Sequence, residues 1–456
     1  MKVVSRFTVS LPPSSAPTTT LPLTFFDIPW LFFSPSLPLF FYEYPHPTSH
    51  FLSTSLPKLK HSLSLALQHF FPFAGHLVLL PDSGKPVILY NEGNSVSLTV
   101  GESDSDFFNL SSNYQRTAYD FHALVPKLPS KEKQGMGIPL LAAQVTIFPN
   151  SGLCIGLAFH HVVADGRTFN NFIKTWAALY RDNSSSTKSL PFYDRTVIED
   201  TYGLESIYFN QWFNRKSSLE GLVIGCNNEA NADMSDMVRA TFVLSTNDME
   251  KIKQWIIFQC KQRNMPQPAH LSPSNLTCAF VWVCLIKARE EVKEEKCYSG
   301  DPNYLGFNSG GIARLDYPST YFGNCIGFAR CMATREELLG EDGIIIAAHV
   351  IGNKVRELNQ EMLGESEKWI SDWEVFLGSE PHIMVVGSPK LDFYQTDFGW
   401  GRPRKIEEIS IDDGNAISFM ESRDLTGGIE FGLAMSKAKM DAFESAFTHG
   451  LSRLSD

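Results

Sequence analysis

A strand, a tight junction and a helix follow one another over residues 153–179, and this succession constrains the fold more than any other stretch of the chain. Leu153-Cys154-Ile155-Gly156-Leu157-Ala158-Phe159 alternates apolar with small residues and predicts a half-buried strand. Phe169, Phe172, Trp176 and Leu179 then recur at helical spacing. Between them His160-His161-Val162-Val163-Ala164-Asp165-Gly166 leaves room only for a turn, which puts His161 where a strand hands over to a helix. An imidazole held there can face a cavity, and with a pKa near neutrality it suits proton abstraction from an alcohol.

The mixed pattern extends to both sides. Leu56, Leu59, Leu63, Leu67 and Phe70 form the stripe of an amphipathic helix over 56–70. Strands are predicted at 77–80, 87–90 and 96–100, and 141–148 pairs with 153–159 as a hairpin across Pro149-Asn150-Ser151-Gly152. The start, Lys2–Val9, alternates like an edge strand. Residues 22–42 are very apolar, but Asp27, Pro29, Pro35 and Pro38 would break a membrane helix, and the segment reads as an extended arm wrapping a core. A second α/β unit follows, with a strand at 238–244 and helices at 246–262, 275–292 and 342–363. At 456 residues two domains are expected. The polar runs 182–188 and 227–236 bracket the division into an N-terminal domain 1–190, a crossover 191–220 and a C-terminal domain 221–456.

Bulk properties narrow the partners. A formal charge of -11 argues against nucleic acid, which needs a basic field. No membrane span is expected. Eight cysteines without CxxC pairs read as reduced thiols of a cytosolic protein, and no metal site is expected around His160, His161 and Asp165, where HExxH and cysteine partners are missing. The charged run Lys287–Lys296 reads as a solvated helix face. No heptad or long apolar edge appears, so a monomer is expected.

Two further segments stand out. Asp397-Phe398-Gly399-Trp400-Gly401 sets two glycines around a tryptophan, a backbone that turns sharply while presenting aromatic surface. Tyr321-Phe322-Gly323-Asn324-Cys325 is ambiguous alone. Taken in order, His161–Asp165 and Asp397–Gly401 resemble the HxxxD and DFGWG signatures of the BAHD family of plant acyl-CoA-dependent acyltransferases. Leu23–Leu31 and Phe70–Gly75 are similar to that family's N-terminal motifs. Tyr321–Cys325 is similar to the YFGNC motif of the branch acylating anthocyanin and flavonoid glucosides, often with malonyl-CoA.

The resemblance implies two similarly sized mixed-sheet α/β domains, chloramphenicol acetyltransferase-like, with a solvent channel between them and HxxxD at the interface. It implies an O-acyltransferase that moves malonate from malonyl-CoA, a cosubstrate, to a sugar hydroxyl of a phenolic glucoside, with no tightly bound cofactor. His161 is then the general base, and Asp165 and Asp397 join it as catalytic residues, although both look suited to structural work. Asp165 can cap the following helix or pair with an arginine, and the family's equivalent segment points to Arg314. Arg167, Arg404, Ser274 and Asn275 are the expected contacts of the acyl donor; Ser274 also reads as a helix N-cap. Arg314, Asn324, Gly399 and Trp400 are the expected structural support. Phe398, Trp400 and the 30–42 arm are suspected around the acceptor. Two alternatives stand beside this: a hydroxycinnamoyl-CoA acyltransferase, and a non-catalytic protein that binds CoA or another small molecule.

Overall fold

A computed structural model of the protein describes residues 1–128, 137–182, 190–213, 236–293, 300–378, 382–413 and 415–454. Two large mixed sheets organise two α/β units. The first runs, edge to edge, Lys2–Ser10, Ser95–Glu102, Leu141–Phe148, Gly152–Phe159, Pro38–Glu43 and Lys405–Glu408. The second runs Ile326–Thr334, Pro302–Gly310, His382–Gly387, Ala416–Glu421, Ile429–Ser436, Met237–Leu244 and Arg116–Thr117. A four-stranded sheet with Thr19–Pro22 and His76–Leu79 pairs with neither but shares the first sheet's core through Leu21, Leu77 and Ile88.

The hairpin expected at 141–159 forms, but its strands are buried along their whole length rather than half-buried. The alternation sorts side chains between two cores. Leu153, Ile155, Leu157 and Phe159 join the main core with Phe172 and Trp176, whereas Cys154 and Ala158 join a smaller core with Phe41, Phe107 and Phe121. Both faces are therefore dry, and small residues appear where the second core comes close. Gly156 shows the limit: a Cβ there would stand 2.3 Å from the carbonyl oxygen of Leu124.

Helix α1 (Leu56–His69) follows the expected stripe and packs on helix α2 (Gly166–Asp182). The 22–42 segment departs from expectation. It is no arm around the core but part of it: Ile28–Phe32 forms a 3-10 turn, and Pro38–Glu43 is an interior strand between Gly152–Phe159 and Lys405–Glu408. Its prolines sit where they cost no ladder bond, Pro29 in the first turn and Pro38 at the strand's first position.

The second core surrounds helix α3 (Pro273–Val292), which is apolar on nearly all sides and packs between helix α4 (Gly343–Gln360) and helix α5 (Lys437–Arg453). Of the polar runs read as linkers, residues 183–188 and 227–235 lie outside the described residues, as do residues 294–296 at the end of the charged run. The six described cysteines are all free and buried. Among the described residues no helix is long and apolar enough to cross a membrane.

The two sheets exchange strands. Lys405–Glu408 pairs with Pro38–Glu43 in the first sheet, while Arg116–Thr117 pairs with Met237–Leu244 in the second. A buried charge cluster ties these strands together. Glu407 accepts from Arg116 at 2.7 Å and Arg239 at 3.0 Å, and Arg239 also pairs with Asp412. Burial alone would raise the Glu407 carboxyl, but Arg116, Arg239 and Lys405 outweigh it and hold the pKa at about 2.

Candidate active site

The junction holds the geometry that the sequence promised. After the strand ends at Phe159, His161–Val163 makes one 3-10 turn and α2 begins at Gly166. Asp165 caps that helix: its Oδ1 accepts from the Thr168 N–H at 2.8 Å and its Oδ2 from the Cys325 N–H at 3.2 Å. One carboxylate thus locks the histidine turn to the Tyr321–Cys325 segment. His160 turns inward, where its Nδ1 accepts from the Val162 N–H at 3.3 Å. His161 lies flat on the Trp30 indole, with ring centroids 3.8 Å apart and planes inclined by 18°. Its Nδ1 is buried without a hydrogen-bond partner. Burial lowers the His161 pKa to about 4, and the opposing pull of Asp165 and Asp27 recovers only part of the loss. At neutral pH the ring is therefore an uncharged base.

A second carboxylate holds the turn from below. Asp27, fully buried, accepts on Oδ1 from the Asn324 backbone and side-chain N–H groups at 3.1 and 2.9 Å, and on Oδ2 from Thr24 and from Arg195. Asn324 passes the constraint on, since its amide also donates to the carbonyl oxygens of His161 at 3.0 Å and Val162 at 3.3 Å. Gly323 makes this possible. Its φ of +131° suits glycine alone, and a Cβ would meet the Arg195 guanidinium at 3.1 Å. The crossover joins in, for Phe192 and Tyr321 form a parallel bridge.

The pairing of Asp165 with Arg314 does not occur. Arg314 is exposed and donates to Asn359 Oδ1 at 2.9 Å and the Gly310 carbonyl at 2.6 Å, whereas Asp165 is buried with both oxygens already engaged by backbone N–H groups. Arg167 is the guanidinium near Asp165, at 3.8 Å; it donates to the carbonyls of Ser319 and Tyr321 at 3.0 and 2.7 Å. Arg404 is occupied on the sheet edge by Glu43 at 2.9 Å and Ser111 at 3.0 Å. At the start of α3 the cap is Ser272, not Ser274: Ser272 accepts from the Asn275 N–H at 3.4 Å, and Pro273 takes the first helical position, where its missing N–H costs nothing. Ser274 is half-buried in that first turn, and Asn275 donates its amide to the His270 carbonyl at 3.3 Å.

The Asp397–Gly401 loop sits at the other end of α2. The Asp397 backbone carbonyl accepts from Arg181, near the C-terminus of a 17-residue helix that starts at Asp165's cap, roughly 24 Å along the axis from it. Asp397 Oδ1 accepts from the N–H groups of Gly399 and Gly401 at 2.6 and 2.9 Å, closing a loop in which both glycines have positive φ, +92° and +88°. Phe398 is fully buried against Tyr42 and Trp176, and Trp400 stacks on it with centroids 5.4 Å apart. Asp397 is thereby set at the opposite end of α2 from His161, and the Phe398 side chain is enclosed in the core. The reason is the length of α2, which separates the two signatures.

Asp27 and Trp30 fall in the Leu23–Leu31 motif, and Trp30 also opens the 30–42 arm suspected around the acceptor, but the sequence reading makes neither a neighbour of His161 and does not single out Arg195. Asp27 carried a usable signal: a lone carboxylate inside an apolar run is buried only with partners that satisfy it. The Trp30 stack had none, because it joins residues 131 positions apart by tertiary packing.

A Transferase family model matches residues 3–450. The chain is 36% identical to coumaroyl-CoA:anthocyanidin 3-O-glucoside-6''-O-coumaroyltransferase 1 of Arabidopsis thaliana, over 99% of this chain and 98% of that protein. It is also 36% identical to phenolic glucoside malonyltransferase 2 of the same plant, over 96% and 95% respectively. Among solved structures, vinorine synthase shares the fold with a TM-score of 0.66 at 17% identity, covering 97% of this chain and 96% of that one.

Proposed function

Since the chain belongs to the BAHD family of acyl-CoA-dependent acyltransferases, by a match along nearly its whole length, we propose that it transfers a malonyl group from malonyl-CoA to a sugar hydroxyl of a flavonoid or other phenolic glucoside. The observation that carries the chemistry is the half-buried, uncharged His161 on a turn held from both sides by Asp165 and Asp27. His161 accepts the hydroxyl proton as the oxygen attacks the thioester carbonyl. The tetrahedral intermediate then expels the CoA sulfur, which takes the proton from His161. No covalent acyl-enzyme is needed, and much of the acceleration comes from holding donor and acceptor together.

The choice of malonate rests on Arg167, a cation fixed by the Ser319 and Tyr321 carbonyls and 3.8 Å from Asp165. Its Nε is buried without a partner, and a donor carboxylate would be matched there. The hydroxycinnamoyl-CoA reading keeps the same base and is favoured by the names of two relatives, both coumaroyltransferases; it needs an apolar wall where Arg167 stands. Ser274 and Asn275 remain the proposed contacts of the CoA arm. On the same reading the protein works as a cytosolic monomer, with acyl-CoA as cosubstrate and no tightly bound cofactor, and divides at the crossover 191–220.

Arg167→Ala is expected to raise KM for malonyl-CoA on the order of 30-fold or more, the loss anticipated for one partner of a desolvated charge pair, while KM for acetyl-CoA changes little. Steady-state thiol release with malonyl-, acetyl- and p-coumaroyl-CoA measures this. An equal rise for all donors, or turnover with p-coumaroyl-CoA alone, would remove the malonyl assignment.

A further inference from the structure

The contact between Trp30 and His161 has no part in the chemistry so far, yet it is the closest ring contact the base makes. The indole is held firmly. It is 7% exposed, rises from the turn Ile28–Phe32, and lies between Phe33, with centroids 5.2 Å apart, and the edge of Trp373 at 6.1 Å. His161 offers its flat face to that indole and buries an unpartnered Nδ1.

The consequence concerns charge. When His161 accepts a proton it becomes a half-buried cation whose shielded Nδ1 has no carboxylate on it. The ionisable groups facing it are His160, Asp165 and Asp27. His160 adds no negative charge. Asp165 and Asp27 attract the charge without touching the ring, since their oxygens are engaged by the Thr168 and Cys325 N–H groups and by Thr24, Asn324 and Arg195 respectively. The electron-rich surface in direct contact with the ring is the Trp30 face. An indole face attracts an imidazolium by its quadrupole and does little for a neutral imidazole. Such an interaction is stronger in the transition state than before it, which is the condition for lowering a barrier.

We propose that Trp30 is a positioning residue that stabilises the imidazolium form of His161 during acyl transfer. In that step the acceptor O–H proton passes to His161 while the new C–O bond forms; the thioester C–S bond then breaks and the same proton leaves on sulfur. The imidazolium exists only between these events, so the attraction of Trp30 is confined to them. The proposal rests on the acyl-transfer reading above.

The test places mono-, di- and trifluorotryptophan at position 30 by nonsense suppression, which preserves shape while draining charge from the ring face. Two quantities are read: kcat with the donor that the wild type uses, and the pKa of isotopically labelled His161 by NMR, which needs no substrate. The expected result is a stepwise fall in kcat, reaching roughly 3–30-fold across the series, with KM unchanged and the His161 pKa falling in step. Trp30→Phe retains part of the effect and Trp30→Leu loses it, with folding checked by circular dichroism. If kcat stays constant across the fluorinated series the proposal is overturned, whatever the titration shows. If the wild type turns over none of the donors, the acyl-transfer reading falls alone, and a His161 pKa that ignores fluorination then overturns the Trp30 attraction independently.

Discussion

Replacing His161 with alanine lowers kcat by about 10²–10⁴-fold, the usual range for loss of a positioned general base, and leaves the protein folded and able to bind CoA. The fold survives because Asp165 caps α2 through backbone N–H groups and Asn324 holds the turn through backbone carbonyls, none of which involves the imidazole. His161→Asn, closer in volume, controls for the space left beside Trp30. The wild type adds a pH signature. A base must be deprotonated to act, and burial lowers the His161 pKa from 6.5 to about 4. The acid limb of kcat/KM therefore lies near that value, and activity persists at pH values where an ordinary histidine would already be protonated. A limb near 6.5 that vanishes in His161→Asn would show a solvated imidazole instead of this half-buried one.

Glu407→Gln destabilises the protein by about 3–5 kcal/mol, the cost of leaving buried charges without a partner. Arg116 and Arg239 both point at this carboxylate, and the side chains of all three are at most 2% exposed. A drop in the urea midpoint at unchanged slope measures the loss, with the exposed Lys437–Asp441 pair as a control, where Asp441→Asn leaves the midpoint in place. The pH dependence has a defined sign. Because the folded pKa, about 2, lies below the ordinary 4.5, the contribution is fully present above the unfolded value and is lost as pH falls through that interval. It amounts to about 3 kcal/mol. An unchanged midpoint in Glu407→Gln would mean that the cluster does not join the two sheets energetically.

What the sequence disclosed divides along a physical line. Features encoded by local spacing were legible: the helix at 56–69, the hairpin of 141–159, the strand-to-helix junction at His161 and the capping potential of Asp165. Features set by long-range pairing were not. Nothing near residue 405 announces that it pairs with Phe41 in the other unit, and nothing near Trp30 announces its stack on His161. The Arg314 expectation failed for a related reason. Of the two roles open to Asp165, capping and pairing with an arginine, the Thr168 and Cys325 N–H groups take both its oxygens and leave the family-derived Arg314 pairing unused. Asp397 shows the opposite lesson, since a striking motif can be built to fold: its carboxylate closes a two-glycine loop, and the length of α2 sets that loop apart from the base.

The most direct test of the account is CoA thiol release by the wild type from malonyl-CoA, with and without a flavonoid glucoside, together with mass analysis of the product. The account predicts release that requires the glucoside and yields a sugar ester of malonate. Release at the same rate without acceptor, or no release from any acyl-CoA while CoA still binds, would contradict it.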